Sequence, residues 1–312
     1  MTLWSKGIGN CWMNNQYIYL PNFLGIGAQK SGTTWLYHNL SMHPEFYLPP
    51  VKELHYFDRS PNYPSSSRLA SESLFARLFG KRTHDIEARR YIKSRLHSIL
   101  RNPSLHWKTL PWEFRFLFGK YNDAWYASLF KRGKGKIKGE ITPSYSVLNP
   151  PDVEKIHKLI SDVKIIFIIR NPIDRTWSHL RFHNSRFDIK GFPTLKELKQ
   201  FVESPSVTLK GDYIRTIKIW RKYFPEDQFF ICFYDDIKES PRSLFLRILE
   251  FLGSETTEKD LTADFSKRIY ASPKLEMPSE LKRYLSDRYF QQIKGLSQML
   301  GGHATDWLND IV

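Results

Sequence analysis

The chain has 312 residues, enough for one α/β core with insertions, and its 41% apolar content with 15% aromatics can fill a sizeable interior. Its longest unbroken apolar runs are far too short to span a bilayer, and two cysteines, Cys11 and Cys232, rule out a disulfide framework or a multi-cysteine metal site. The net charge of +15 points to an anionic partner or to electrostatic steering of one.

Met1–Leu20 lacks the charged start, apolar middle and small-residue cleavage pattern of a signal peptide, so a cytoplasmic setting is expected. A strand near Leu20–Gly27 runs into Ala28-Gln29-Lys30-Ser31-Gly32-Thr33-Thr34-Trp35 and a helix over Gly32–Met42. Strand, glycine loop and helix N-terminus in that order form an anion seat, with backbone N–H groups and the helix dipole aimed at one point. The nucleoside-triphosphate loop places its lysine after the second glycine, beside the hydroxyl that holds magnesium; here Lys30 precedes Gly32, so no metal is implied. The plainer alternative is a turn capping an ordinary helix.

Val51–Asp58 follows, with a surface strand of alternating polar residues as its plainest reading, then a polar, Pro- and Ser-rich stretch from Arg59 to Ser73. A charged helical insertion is expected over about 74–131. Its Arg77–Arg101 region, and the cluster Lys131–Lys138 after it, suit either an anionic partner or a solvated face. Lys164–Ile169 is a β-branched run of buried-strand type that ends at Arg170, and Pro172 marks a helix start two residues on. Arg170 at the strand's end and Ser178 two turns into the helix suit one phosphate at the mouth of a parallel sheet. A variable loop near Phe187–Pro205, a helix around Asp212–Tyr223, a strand over Gln228–Tyr234 and helices over Ser240–Leu252 and Ser279–Leu300 complete the map. Strands alternating with helices predict a parallel sheet covered on both faces.

The K-S-G-T-T-W loop at Lys30–Trp35 and the R-N-P-x-D-x-x-x-S segment at Arg170–Ser178 together resemble the sulfotransferases that use 3′-phosphoadenosine 5′-phosphosulfate (PAPS), over about Phe23 to Gly253. The resemblance implies a P-loop-NTPase-like sulfotransferase fold: an α/β single domain over 1–312 with a central, mainly parallel β-sheet flanked by helices. Its core would cover about 20–255, and a cofactor-closing and helical segment about 260–312. It implies that Lys30, Ser31, Gly32, Thr33 and Thr34 bind the 5′-phosphosulfate and that Arg170 and Ser178 bind the 3′-phosphate. Phe233–Pro241 is similar to a segment of cytosolic sulfotransferases whose tyrosine touches the adenine, here Tyr234. Trp35 would stack on the same ring, an aromatic face suiting a purine, unless it packs inward as a core residue.

Around the base the chain departs from the cytosolic enzymes and resembles the E-x-H-F-F-D of heparan sulfate 3-O-sulfotransferases and bacterial relatives. That maps the general base to Glu53, with His55 and Asp58 beside it. Glu140–Tyr145 resembles the family's E-K-T-P-x-Y with Ile141 in place of the lysine, which weakens the case for a heparan acceptor. A basic C-terminal residue closes over the cofactor in the family, and Lys267, Arg268 and above all Lys274 are its candidates. The expected reaction is transfer of a sulfuryl group to a hydroxyl or amine by in-line displacement, with Lys30 stabilising the leaving phosphate and a glycan or small secondary metabolite as acceptor. Two other classes are a basic nucleic-acid-binding protein, which leaves both anion loops unexplained, and a nucleotide-dependent kinase, which needs magnesium.

Overall fold

The computed structural model describes residues 19–65, 68–71, 73–186, 194–261, 265 and 275–312. The runs richest in β-branched and aromatic residues form strands β1 (Phe23–Gly27), β2 (Phe46–Tyr47), β3 (Ile137–Ile141), β4 (Lys164–Ile169) and β5 (Phe229–Phe233). They make one sheet in the order β2-β3-β1-β4-β5. Pairing is parallel, with Phe46 opposite Ile137, and with Ile165 to Ile169 opposite Phe229 to Phe233 in unbroken register. Every residue of β4 after Lys164 is buried, as in a strand covered on both faces. The chain is thus a single α/β domain around a five-stranded parallel sheet flanked by helices, as the alternation of strand and helix patterns predicts.

Two compact units separate within the chain. The first includes Leu40–Glu140 and contains the expected insertion as helices α2 (Leu74–Phe79), α3 (Thr83–Arg101), α4 (Pro103–His106), α5 (Leu110–Phe118) and α6 (Asp123–Ser128). Its interior is aromatic: Trp112 stacks on Phe116 with ring centres 5.0 Å apart, and Phe116 on Trp125 at 5.9 Å. Much of its positive charge is used internally. Arg77 is buried and donates to the carbonyls of Leu117 and Gly119, Arg89 donates to Leu78, Arg82 pairs with Asp85, and Arg95 with Glu113.

The second unit is Leu24–Asn39 with Ile141–Val312. It holds α1 (Thr33–Met42) up to Asn39, α7 (Pro150–Leu159), α8 (Pro172–Arg186), α9 (Leu195–Glu203), α10 (Pro205–Gly211), α11 (Tyr213–Arg221), α12 (Tyr234–Glu239), α13 (Pro241–Leu252), α14 (Ser279–Leu300) and α15 (His303–Asn309). Helix α14 buries Leu281, Leu285, Tyr289, Ile293 and Leu296, a stripe at helical spacing. One expectation is corrected here: Phe187–Pro205 is not a loop throughout, because α9 occupies Leu195–Glu203. Thr194 accepts from the Glu197 amide while the Glu197 carboxylate accepts from the Thr194 amide, a capping box that starts the helix, and Leu198 and Val202 bury its apolar face. Lys267, Arg268 and Lys274 lie outside the described residues.

Candidate active site

Strands β1 and β4 are neighbours in the sheet, so the loops leaving their C-terminal ends share one edge, where open parallel sheets bind ligands. The β1 loop turns sharply. Lys30 has φ 71° and Gly32 φ 91°, the Ser31 amide donates to the Ala28 carbonyl, and Ser31 and Thr33 are buried as α1 begins. At Gly32 a Cβ would lie 2.5 Å from Ile237 Cδ1 and 3.1 Å from the Tyr234 ring, so the position demands glycine on both conformation and space.

Arg170, the first residue after β4, donates from Nη1 to the Lys30 carbonyl at 3.3 Å. Its guanidinium carbon stands 4.5 Å from the centre of the Tyr234 ring, and Nη2 is 3.7 Å from Asp174. Lys30 Nζ lies 4.2 Å from the centre of the Phe182 ring on α8. Ser178 is buried one helical turn before Phe182 and so shares its face of α8. Five of the sequence-derived residues, Lys30, Gly32, Arg170, Ser178 and Tyr234, therefore belong to one neighbourhood. Trp35 is anchored in the interior, 5% exposed, with its indole N–H donating to the Phe265 carbonyl and its ring edge-on to Phe245. Phe182 was missed by the motif reading, although its i+4 spacing from Ser178 was available to find it.

The field here is strongly positive. Burial, reinforced by Arg175, Lys210, Lys30 and His183, pushes His179 down to about 3. Arg181 is lowered by burial and by the Arg170 charge against the opposing pull of Asp174. The buried Nε of Arg170 has no hydrogen-bond partner among the described residues. Cations held this close, with a donor left over, form a seat for a multiply charged anion.

The other chemical centre lies in the first unit. Glu53 to His55 form no strand: Glu53 has φ 65° and His55 φ 59°, and the intervening Leu54 is fully buried. Arg68 donates from Nη2 to the Glu53 carbonyl at 2.8 Å and holds the turn. Asp58, fully buried, meets His55 Nδ1 at 2.7 Å, and His55 Nε2 faces Glu53 Oε2 at 3.6 Å. Lys52 Nζ bonds the other carboxylate oxygen, Oε1, at 2.6 Å.

Burial works to lower the His55 pKa, but the charge and hydrogen bond of Asp58, with Glu53 adding to them, bring it up to about 9. Burial works to raise Glu53, and His55 and Lys52 together outweigh it and hold the carboxyl at about 2. At neutral pH the Glu53 carboxylate therefore faces an imidazolium whose Nδ1–H is hydrogen-bonded to Asp58. Tyr56 stacks on Tyr126 with ring centres 4.5 Å apart, and Tyr126 hydrogen-bonds Glu140, which is buried in this packing. Lys52 and Arg68 were also missed. Lys52 is adjacent to Glu53, whereas nothing in the irregular Arg59–Ser73 stretch marks Arg68.

A family model described as "Sulfotransferase domain" matches residues 20–311. The chain is 28% identical over 144 residues to heparan sulfate glucosamine 3-O-sulfotransferase 6 of Homo sapiens, which covers 44% of this chain and 41% of that protein. It is 23% identical over 265 residues to bifunctional heparan sulfate N-deacetylase/N-sulfotransferase 1 of Xenopus laevis, 81% of this chain and 24% of that one. The chain thus spans well under half the length of these curated relatives. Among solved structures, a sulfotransferase from Alicyclobacillus acidocaldarius shares the fold with a TM-score of 0.62 at 20% identity, over 92% of this chain and 98% of that one. The chain belongs to the sulfotransferase domain family.

Proposed function

We propose that the protein transfers a sulfuryl group from PAPS to a hydroxyl or amine by in-line displacement. The observation that carries this reading is the contact of Arg170 with the Lys30 carbonyl, which joins two anion-binding motifs 140 residues apart at neighbouring strand ends. The unpartnered Arg170 Nε and the positive field that keeps His179 neutral fit a nucleotide with phosphate at two positions.

In this reading Lys30, Ser31, Thr33, Thr34 and the amides around Gly32 hold the phosphosulfate, Arg170 and Ser178 hold the 3′-phosphate, and Tyr234 serves the adenine, while Trp35 packs inward as a core residue. PAPS supplies the sulfuryl group. Lys30 neutralises charge on the departing phosphate, and the loop amides hold the oxygens around sulfur without reorganising. Glu53 takes the acceptor proton, His55 holds Glu53, and Asp58 holds His55 in position. The acceptor is a glycan or a small metabolite. The scarcity of cysteine supports a reducing, cytoplasmic setting.

The test is a screen with 35S-labelled PAPS against acidic glycans, phenols, alcohols and alkaloids, run in excess chelator. Label should pass to at least one acceptor class at a rate the chelator does not change. Transfer to none, with no binding of the product nucleotide 3′-phosphoadenosine 5′-phosphate (PAP), would contradict the reading.

A further inference from the structure

Both oxygens of the Glu53 carboxylate face cations, and the two cations differ in how firmly they are held. His55, opposite Oε2, is buried, 6% exposed in its side chain, and pinned by the wholly buried Asp58. Lys52, on Oε1, is 20% exposed, and Glu53 itself 35%. With a cation against each oxygen Glu53 is held a weak base, and a flexible, partly solvated lysine moves off at less cost than an imidazolium locked on a buried aspartate.

The surrounding charge says what would draw it off. Among the described residues, Lys52, His55 and Arg68 stand around Glu53 and Asp58, three positive groups against two negative. The Arg68 guanidinium, 4.4 Å from the Tyr91 ring centre, keeps a buried Nε without a hydrogen-bond partner among the described residues.

We propose that Lys52 is a specificity-determining residue: it covers Glu53 Oε1 in the free protein and is drawn off it by an anionic group carried by the acceptor, so that proton removal begins only on acidic acceptors. The inference rests on the sulfuryl-transfer reading above and adds to it the chemical class of the acceptor. Once Oε1 is uncovered, the acceptor proton passes to it as the acceptor oxygen or nitrogen bonds sulfur. The bond from sulfur to the bridging oxygen breaks, and its electron pair leaves with the phosphate of PAP. Uncovering Oε1 also removes a positive neighbour from Glu53 and raises its basicity when it is needed.

The experiment compares an oligosaccharide carrying uronate carboxylates with its carboxyl-reduced counterpart, using the full chain and the variants Lys52→Met and Lys52→Arg. The unaltered protein should favour the acidic acceptor in kcat/KM by about tenfold or more. Lys52→Met should abolish that preference, mainly by gaining rate on the carboxyl-reduced acceptor, while Lys52→Arg keeps part of it. NMR titration of the Glu53 carboxyl should move upward in Lys52→Met, a readout that needs no turnover. An equal fall on both acceptors, or a preference that Lys52→Met leaves unchanged, overturns the role of Lys52 while sulfuryl transfer stands. Absence of transfer to either acceptor by the unaltered protein, with none in the wider acceptor screen, overturns both.

Discussion

Lys30, Glu53 and His55 hold φ values of 71°, 65° and 59°, and they are the non-glycine residues with positive φ among those described. The left-handed region costs an L-residue roughly 1–2 kcal/mol, so each position needs partners that impose it. Arg170 bonds the Lys30 carbonyl, Arg68 the Glu53 carbonyl, and Asp58 the His55 ring. The electrostatics of the Glu53 row set a pH dependence whose sign can be worked out. His55 titrates higher when folded, about 9 against 6.5, so its contribution to stability is complete below 6.5 and is lost as the pH rises through about 9. Glu53 titrates lower, about 2 against 4.5, so its contribution holds above 4.5 and fails only toward pH 2. Asp58→Asn removes the main charge that raises His55, leaving only the Glu53 contact against burial and Arg68. The melting temperature of that variant should therefore lose its decline between pH 7 and 10, and the alkaline limb of kcat/KM should move to lower pH. An unchanged alkaline limb would show that His55 does not govern it. Lys30→Ala and Arg170→Ala should each weaken PAP binding by about tenfold or more in calorimetry, because each removes a cation proposed to meet an anion of the nucleotide. Unchanged affinity in both would remove the cofactor from these loops.

The turn from β1 into α1 and the entry of α12 depend on each other at the scale of elements. Gly32 sits under Tyr234 and Ile237 at φ 91°, so Gly32→Ala should cost about 1–3 kcal/mol and weaken PAP binding through the displaced Tyr234. Calorimetry beside a thermal melt checks both, and a variant matching the parent in each would show that the turn tolerates a side chain. Helix α9 depends on its cap, and Thr194→Ala should cost about 1 kcal/mol in thermal unfolding. That helix was legible in principle, since Thr194 and Glu197 stand at capping-box spacing before an apolar Leu198 and Val202, but the flanking glycine and prolines masked it. Strands β4 and β5 and helix α14 were plain because their apolar runs are long and regular. Strand β3 was harder to read, since Gly139 and charged Lys138 and Glu140 break any alternation, and its place is set by pairing with distant chain. Of the site, Lys30, Gly32, Arg170 and Ser178 could be read because they stand in motifs of fixed spacing. The Arg68 bond to Glu53 and the Phe182 ring beside Lys30 are products of tertiary packing that no local pattern announces.

For the whole molecule, the charge of +15 is divided between structure and field. Arg77, Arg82, Arg89 and Arg95 are bound to carbonyls and carboxylates of their own unit, so the basic stretch from Arg77 to Arg101 is in good part a scaffold for the helical insertion. The rest contributes a long-range positive potential of the sign that would steer the proposed polyanionic donor. PAP association should accordingly slow severalfold as salt rises from about 0.01 to 0.15 M, while the Debye length shrinks from about 30 to about 8 Å. Stopped-flow association rates independent of salt would confine the effect of charge to direct contacts. In the proposed reaction Glu53 takes the acceptor proton while Lys30 and Arg170 hold the donor. The most direct test is 35S transfer from PAPS by Glu53→Gln, with PAP affinity measured on the same preparation. The account predicts unchanged PAP binding with turnover reduced by about 10²–10⁴-fold. Full turnover by that variant would contradict it.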